Sequence, residues 1–187
     1  SSRVLFTLGG DRLEGTIPTV GRHQALNAAA ALLVAAECGV PLDEAVSAMS
    51  RTQLPGMRME PRWIGNTLVL MDNYNASPDS TIAALRTLTE LPVSGRRIAV
   101  LGEMRELGQF TESGHRLVGQ ALIGSSIDQV VFYGDLTRGS EAAAIEYGYP
   151  ASQIFRAESM AELSDFLKDL PSGDVVLIKG SRALGLE

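Results

Sequence analysis

Four polar stretches of this 187-residue sequence each sit directly behind an apolar run. They are Asp72-Asn73-Tyr74-Asn75, Glu103-Met104-Arg105-Glu106, Asp135-Leu136-Thr137-Arg138 and Lys179-Gly180-Ser181-Arg182. Carboxylates, amides, guanidiniums and an ammonium gathered in this way suit an anionic or hydroxylated ligand, and the acids Glu103 and Glu106 suit an ammonium. Several other chemistries lack their signatures. No GxxxxGK[ST] phosphate loop exists, because Lys179 follows Ile178, and neither a strand-borne GxGxxG nor a GxSxG elbow is present. His23 and His115 are far apart, with no HExxH and no cysteine cluster, so no metal site is expected within this chain. Cys38 lies in an apolar stretch and reads as a core residue rather than a nucleophile.

The elements that must position these stretches alternate along the chain. Residues 3–8 and 12–17 predict two strands around the turn Gly9-Gly10-Asp11. Residues 22–38 predict an Ala/Leu-rich helix stopped by Gly39, and 42–49 a second helix started by Pro41. Residues 51–58, with Pro55 and Gly56 and no periodicity, read as a linker or hinge. Strands are then expected at 67–72, 96–102, 128–134, 153–157 and 174–180. Helices fall between them at 78–91 (capped by Ser77), 111–124, 137–147 and 159–170. Continuous Val/Ile/Leu strands are buried on both faces, as in a parallel sheet. The expected fold is therefore α/β: a Rossmann-like, mostly parallel sheet flanked by helices, preceded by a small α+β part. In such a sheet the carboxyl ends of the strands share one edge, and ligands bind there.

Hydrophobic residues make up 45% of the sequence and charged residues 20%, which suffices for a sizeable core. The net charge of -6 argues against nucleic acid or an anionic membrane as partner. The sequence has no apolar run of about 18 residues and no signal-peptide core at its start. With a single cysteine it cannot form an internal disulfide. A cytoplasmic setting is expected. The length falls between one domain and two, and the opening strand-like pattern reads as though a longer protein preceded it.

Five ordered motifs carry a resemblance: GRHQALNAAAA (21–31), PGMRME (55–60), LMDNYNASPDS (70–80), VLGEMRELG (100–108) and VLIKGSR (176–182). Together they resemble the C-terminal portion of the Mur ligase family, specifically its branch that adds D-alanyl-D-alanine to UDP-N-acetylmuramoyl-tripeptide. The resemblance implies that residues 1–57 are the tail of a central ATP-binding domain and 58–187 the closing Rossmann-like domain. It implies an ATP-dependent amide synthesis through an acyl phosphate, with ATP and Mg²⁺ held mostly by parts of the enzyme without counterparts here. This chain alone is then expected to be inactive. The implied substrates are the UDP-linked tripeptide and D-alanyl-D-alanine, handled by a monomer. A non-catalytic binding module of the same ancestry, and a ligase with another amino substrate, are the competing readings.

The same resemblance implies roles for single residues. His23 and Asn27 would touch the nucleotide, with Gln24 standing where the family usually has Asn. Arg58 would meet the ATP phosphates after domain closure, as the one catalytic residue of this portion. Asp72 would accept ribose hydroxyls, with Tyr74 and Asn75 beside the nucleotide. Lys179, Ser181 and Arg182, with Asn75, would hold the amino substrate and its carboxylate. His115 matches a histidine common in the family.

Overall fold

A computed structural model describes every residue except Gly9 and Leu54. The predicted turn at Gly9 and part of the predicted linker, at Leu54, therefore lie outside the described residues. The chain divides into two compact units, Ser1–Pro55 and Gly56–Glu187.

In the first unit, β1 (Ser2–Leu8) and β2 (Asp11–Ile17) pair antiparallel, with Ser2 opposite Ile17. Helices α1 (Arg22–Glu37) and α2 (Leu42–Met49) follow. Phe6, Ile17, Leu32 and Val46 form the small core. Helix α1 is apolar nearly all round, so one face reaches the core and Leu26, Leu33 and Val34 remain exposed. Cys38 is exposed at the C-cap of α1, which corrects its expected core placement: it lies past the end of the helix, whose buried residue is Leu32.

In the second unit, six strands form one sheet in the order β3-β4-β8-β5-β6-β7. The predicted strands appear as β4 (Thr67–Asp72), β5 (Arg97–Gly102), β6 (Gln129–Tyr133), β7 (Ile154–Ala157) and β8 (Val175–Lys179). These five run parallel to one another. The sixth, β3 (Glu60–Ile64), is antiparallel to β4 and was not expected. It is an exposed edge strand containing Pro61, Arg62 and Trp63, so it has no apolar run to betray it. Its signal is the two-residue turn Gly65-Asn66, where Gly65 adopts a φ of 59°.

Residues alternate between the two faces of the sheet. Val69, Met71, Ile98, Val100, Val131, Val176 and Ile178 share a core with Leu163 of α6 (Met160–Lys168). The opposite face takes α3 (Pro78–Glu90), which packs on β5 and β8, with α4 (Thr111–Gln120) against α3 and α5 (Arg138–Glu146). Ser77 starts α3 with a capping box: the Ser80 N–H donates to Ser77 Oγ at 3.3 Å and the Ser77 N–H to Ser80 Oγ at 3.0 Å. Helix α4 ends four residues before the expected Gly124, where residues 121–124 turn.

Candidate functional site

The strand order decides what meets at the carboxyl edge. Because β8 inserts between β4 and β5, Lys179 becomes the register partner of Asp72, 107 residues away in sequence. The Lys179 ammonium donates to Asp72 Oδ2 at 2.7 Å, to Asn75 O at 3.1 Å and to Asp72 O at 3.4 Å. Its side chain is 2% exposed. A buried ammonium is tolerable only when paired and hydrogen-bonded, and here the strand ends supply all its acceptors. Asp72 is equally occupied, since its Oδ1 accepts the Met59 N–H at 3.0 Å.

That amide belongs to a turn preceding β3. Met57 and Met59 have φ values of 60° and 50°, in the left-handed region that a β-carbon disfavours. The turn is held by two further bonds: Met57 N–H donates to Glu60 Oε2 at 2.9 Å, and Tyr74 N–H to Met57 O at 3.1 Å. The Arg62 guanidinium and the Met57 amide hold Glu60 below the usual carboxylate range. Between the two strained residues lies exposed Arg58, whose Cζ sits 4.3 Å from the centre of the Tyr74 ring. Arg182 approaches the same ring, at 5.6 Å. Among the described residues, neither guanidinium is paired with a carboxylate. Two cations without carboxylate partners near one exposed ring make an anion-attracting patch.

The neighbouring loops are tied to it. Ser181 N–H donates to Glu103 O at 2.9 Å, and Arg105 N–H to Ser181 Oγ at 2.9 Å, so the loops after β5 and β8 move as one. Glu103 accepts from Arg105 Nε at 2.9 Å and from the Leu136 N–H at 3.3 Å. Gly134 must be glycine here: its φ is 94°, and a β-carbon would collide with the Glu103 side chain. His115, 1% exposed, accepts the Met104 N–H on Nε2 at 3.1 Å, which assigns the proton to Nδ1, where it is donated to Thr111 O at 2.7 Å. His115 thus braces the loop from behind and does not face a ligand. Asn75 is exposed, and its Oδ1 accepts the Ala76 N–H at 2.8 Å, which turns its NH₂ group outward as a donor.

Arg58, Asp72, Tyr74, Asn75, Lys179, Ser181 and Arg182 thus lie together on the second unit. His23 and Asn27 lie on α1 of the first, four residues apart on one face, where Asn27 Nδ2 donates to Gln24 Oε1 at 3.3 Å. Sequence reasoning missed Glu60 and the strained methionines. Pro55 and Gly56 mark a turn in residue order, but which acceptors hold its amides does not show there. Among the described residues, no group of three or more His, Cys, Asp or Glu side chains is placed to hold a metal ion. No described helix is long and apolar enough to cross a membrane.

Comparisons with known proteins point one way. Residues 57–182 match the family described as Mur ligase, glutamate ligase domain. The chain is 32% identical to the UDP-N-acetylmuramoyl-tripeptide–D-alanyl-D-alanine ligase of Bacillus subtilis, over 97% of this chain and 40% of that protein. It is similar to the crystal structure of MurF from Acinetobacter baumannii, with a TM-score of 0.83 and 25% identity, covering 97% of this chain and 39% of that one. The fold is also that of MurF from Thermotoga maritima, determined in complex with ADP, at a TM-score of 0.80 and 24% identity over 98% of this chain and 41% of that one. The chain therefore spans about 40% of the length of the curated relatives it matches.

Proposed function

From the premise that the chain belongs to the Mur ligase family, we propose that it is the closing portion of an ATP-dependent ligase. That enzyme joins D-alanyl-D-alanine to UDP-N-acetylmuramoyl-tripeptide in cytoplasmic peptidoglycan precursor synthesis. Residues 1–57 are, in this reading, the tail of the ATP-binding domain, and 58–187 the C-terminal domain.

The chemistry has two steps. A tripeptide carboxylate oxygen attacks the γ-phosphorus of ATP, giving an acyl phosphate and ADP. The amine of D-alanyl-D-alanine then attacks the acyl carbon, phosphate leaves, and the ammonium loses a proton to give the amide. Mg²⁺ supplies charge neutralisation to such phosphoryl transfers when bound; no step is assigned to it through residues of this chain. The acyl phosphate is lost if water reaches it, so a domain that covers the site and orients the amine contributes directly to yield.

The observation that supports the reading is the pair of guanidiniums without carboxylate partners, Arg58 and Arg182, close to the Tyr74 ring at the carboxyl edge of a mostly parallel sheet. Arg58 is suited to phosphate oxygens and Arg182 to a terminal carboxylate, since a guanidinium is always charged and forks onto two oxygens. Asn75 offers its NH₂ group beside them. Lys179 and Asp72 act behind this surface in our reading, because each already satisfies the other, and Ser181 holds the loop that presents Arg182. His23 and Asn27 retain their nucleotide-facing role, supported by their shared helix face.

The test is ligation by the longer protein that carries this chain, with ATP, the UDP-linked tripeptide and a panel of amines, following phosphate release and product mass. D-alanyl-D-alanine is expected to support turnover, and single D-alanine, D-glutamate or diaminopimelate are not. Turnover with one of those instead would sink the assignment. The 187-residue chain alone, having no phosphate loop, is expected to release no phosphate from ATP.

A further inference from the structure

Arg58 must hold its guanidinium at one place to meet a phosphate, yet it is exposed and lies between two residues in a disfavoured conformation. Something must hold that turn in place. Met59 donates its N–H to Asp72 Oδ1 at 3.0 Å. Asp72 in turn cannot rotate away, because its Oδ2 is bound to the buried Lys179 ammonium at 2.7 Å. The same ammonium holds Asn75 O at 3.1 Å, which steadies the loop that carries Tyr74. Tyr74 closes the circuit twice: its N–H donates to Met57 O at 3.1 Å, and its ring lies 4.3 Å from Arg58 Cζ.

We propose that Asp72, Lys179 and Tyr74 are positioning residues for Arg58: the buried pair on β4 and β8 clamps the strained turn, and the ring aims the guanidinium. The proposal rests on the reading that Arg58 serves the transferred phosphate. It gives Asp72 a task inside the second unit, through one hydrogen bond to each of its oxygens. It also explains why an ion pair stands where two apolar residues would pack without a desolvation cost. An apolar pair leaves the Met59 N–H without an acceptor. It follows that Arg58 is anchored to the unit Gly56–Glu187, although it is only three residues beyond the division of the chain at Pro55.

Two double variants of the 187-residue chain separate positioning from simple support. D72N/K179M removes both charges but keeps an amide oxygen facing the Met59 N–H. D72L/K179M removes the charges and the acceptor while keeping the branch at Cγ. Exchange of the Met59 amide with deuterium is followed by NMR, together with the order parameter of the Arg58 Nε–H bond. Exchange is expected to be about tenfold faster in D72L/K179M than in D72N/K179M, as for loss of one buried hydrogen bond. Arg58 is expected to stay ordered only in D72N/K179M. Equal exchange in the two, or an equally ordered Arg58, overturns the proposal.

Tyr74→Leu, at an exposed position that does not carry the fold, gives an independent reading should the leucine double variant fail to fold. It is expected to leave Met59 protected while Arg58 becomes mobile, and a rigid Arg58 in Y74L overturns the proposal equally. None of these measurements uses nucleotide. A longer protein that fails to ligate D-alanyl-D-alanine would therefore remove the functional reading and leave these results standing.

Discussion

The two edges of the second unit's sheet carry similar residue types and treat them differently. At the amino edge, Arg96 donates from its backbone N–H to Asp174 Oδ1 at 2.8 Å, and from Nη2 and Nε to Oδ2 at 2.8 and 3.1 Å. Beside it the Arg97 N–H donates to Asp128 Oδ2 at 2.7 Å, and the Tyr149 hydroxyl to Ile127 O at 2.9 Å. These groups, several of them partly exposed, all meet partners within the chain. At the carboxyl edge one pair, Asp72–Lys179, is likewise matched and is buried as well, but Arg58 and Arg182 lie near it without carboxylates. The difference separates two uses of charge. A closed pair ties strands together, whereas an unmatched cation on a rigid platform keeps its field for a ligand.

The comparison breaks most visibly at Arg58. Arg58→Gln in the longer ligase is expected to lower kcat by about 10²–10³-fold, as for loss of one transition-state donor. The urea stability of the 187-residue chain should change by no more than about 0.5 kcal/mol, because the side chain is on the surface. A large loss of stability with unchanged kcat would reverse the assignment of the two edges.

The amino edge should show the opposite pattern. Asp174→Ala removes the acceptor of three bonds from Arg96, and since the Arg96 side chain is 43% exposed and can rehydrate, a loss of about 2 kcal/mol is expected from urea titration. The preference of the longer enzyme among amines should not move.

Tyr149 sharpens the contrast through pH. Burial, helped by Asp128, pushes its hydroxyl up to about 12. The folded chain then holds this proton more tightly than the unfolded chain, whose tyrosines titrate near ~10. The stabilisation is complete below that pH and is lost as pH rises through about 12. Urea midpoints collected across this range should fall steeply in the wild type and less steeply in Tyr149→Phe; parallel curves would count against the burial argument.

The smallest effect is at Glu60, held below the usual carboxylate range by Arg62 and the Met57 amide. Its contribution is present above that range and disappears as pH falls through its lowered value. Glu60→Gln should cost no more than about 0.5 kcal/mol at neutral pH; in the wild type, NMR should show Met57 amide protection falling with acidification, and the variant should lack that pH dependence.

Much of this fold was legible before any coordinate. The runs TLVLMD, RIAVLG and VVLIK mark buried parallel strands, because a strand covered on both faces has no polar alternation to hide its length. Ser77-Pro78 marks the start of α3 because a hydroxyl acceptor and a residue lacking an N–H suit the first turn. Strand β3 was not legible, since an edge strand needs only one hydrogen-bonded side and tolerates Pro61 and Arg62. The candidate site was half legible. Its residues stood out as polar groups behind apolar runs, but their division of labour did not. Lys179 looked like a carboxylate receptor and is enclosed by Asp72; Tyr74 looked like a base-stacking ring and carries two guanidiniums.

Residue order alone dictated the strands other than β3, the helix starts, the polar character of one sheet edge and, through its motifs, the family. Each of these depends on residues within a few positions of one another, where periodicity and capping operate. Sheet order, which places β8 beside β4, needed the folded chain, and so did everything that follows from it: the Asp72–Lys179 pair, the clamp on Met59 and the aim of Arg58. Contacts across 107 residues arise from how helices and strands bury their apolar faces together, and no local pattern encodes which strand inserts between which.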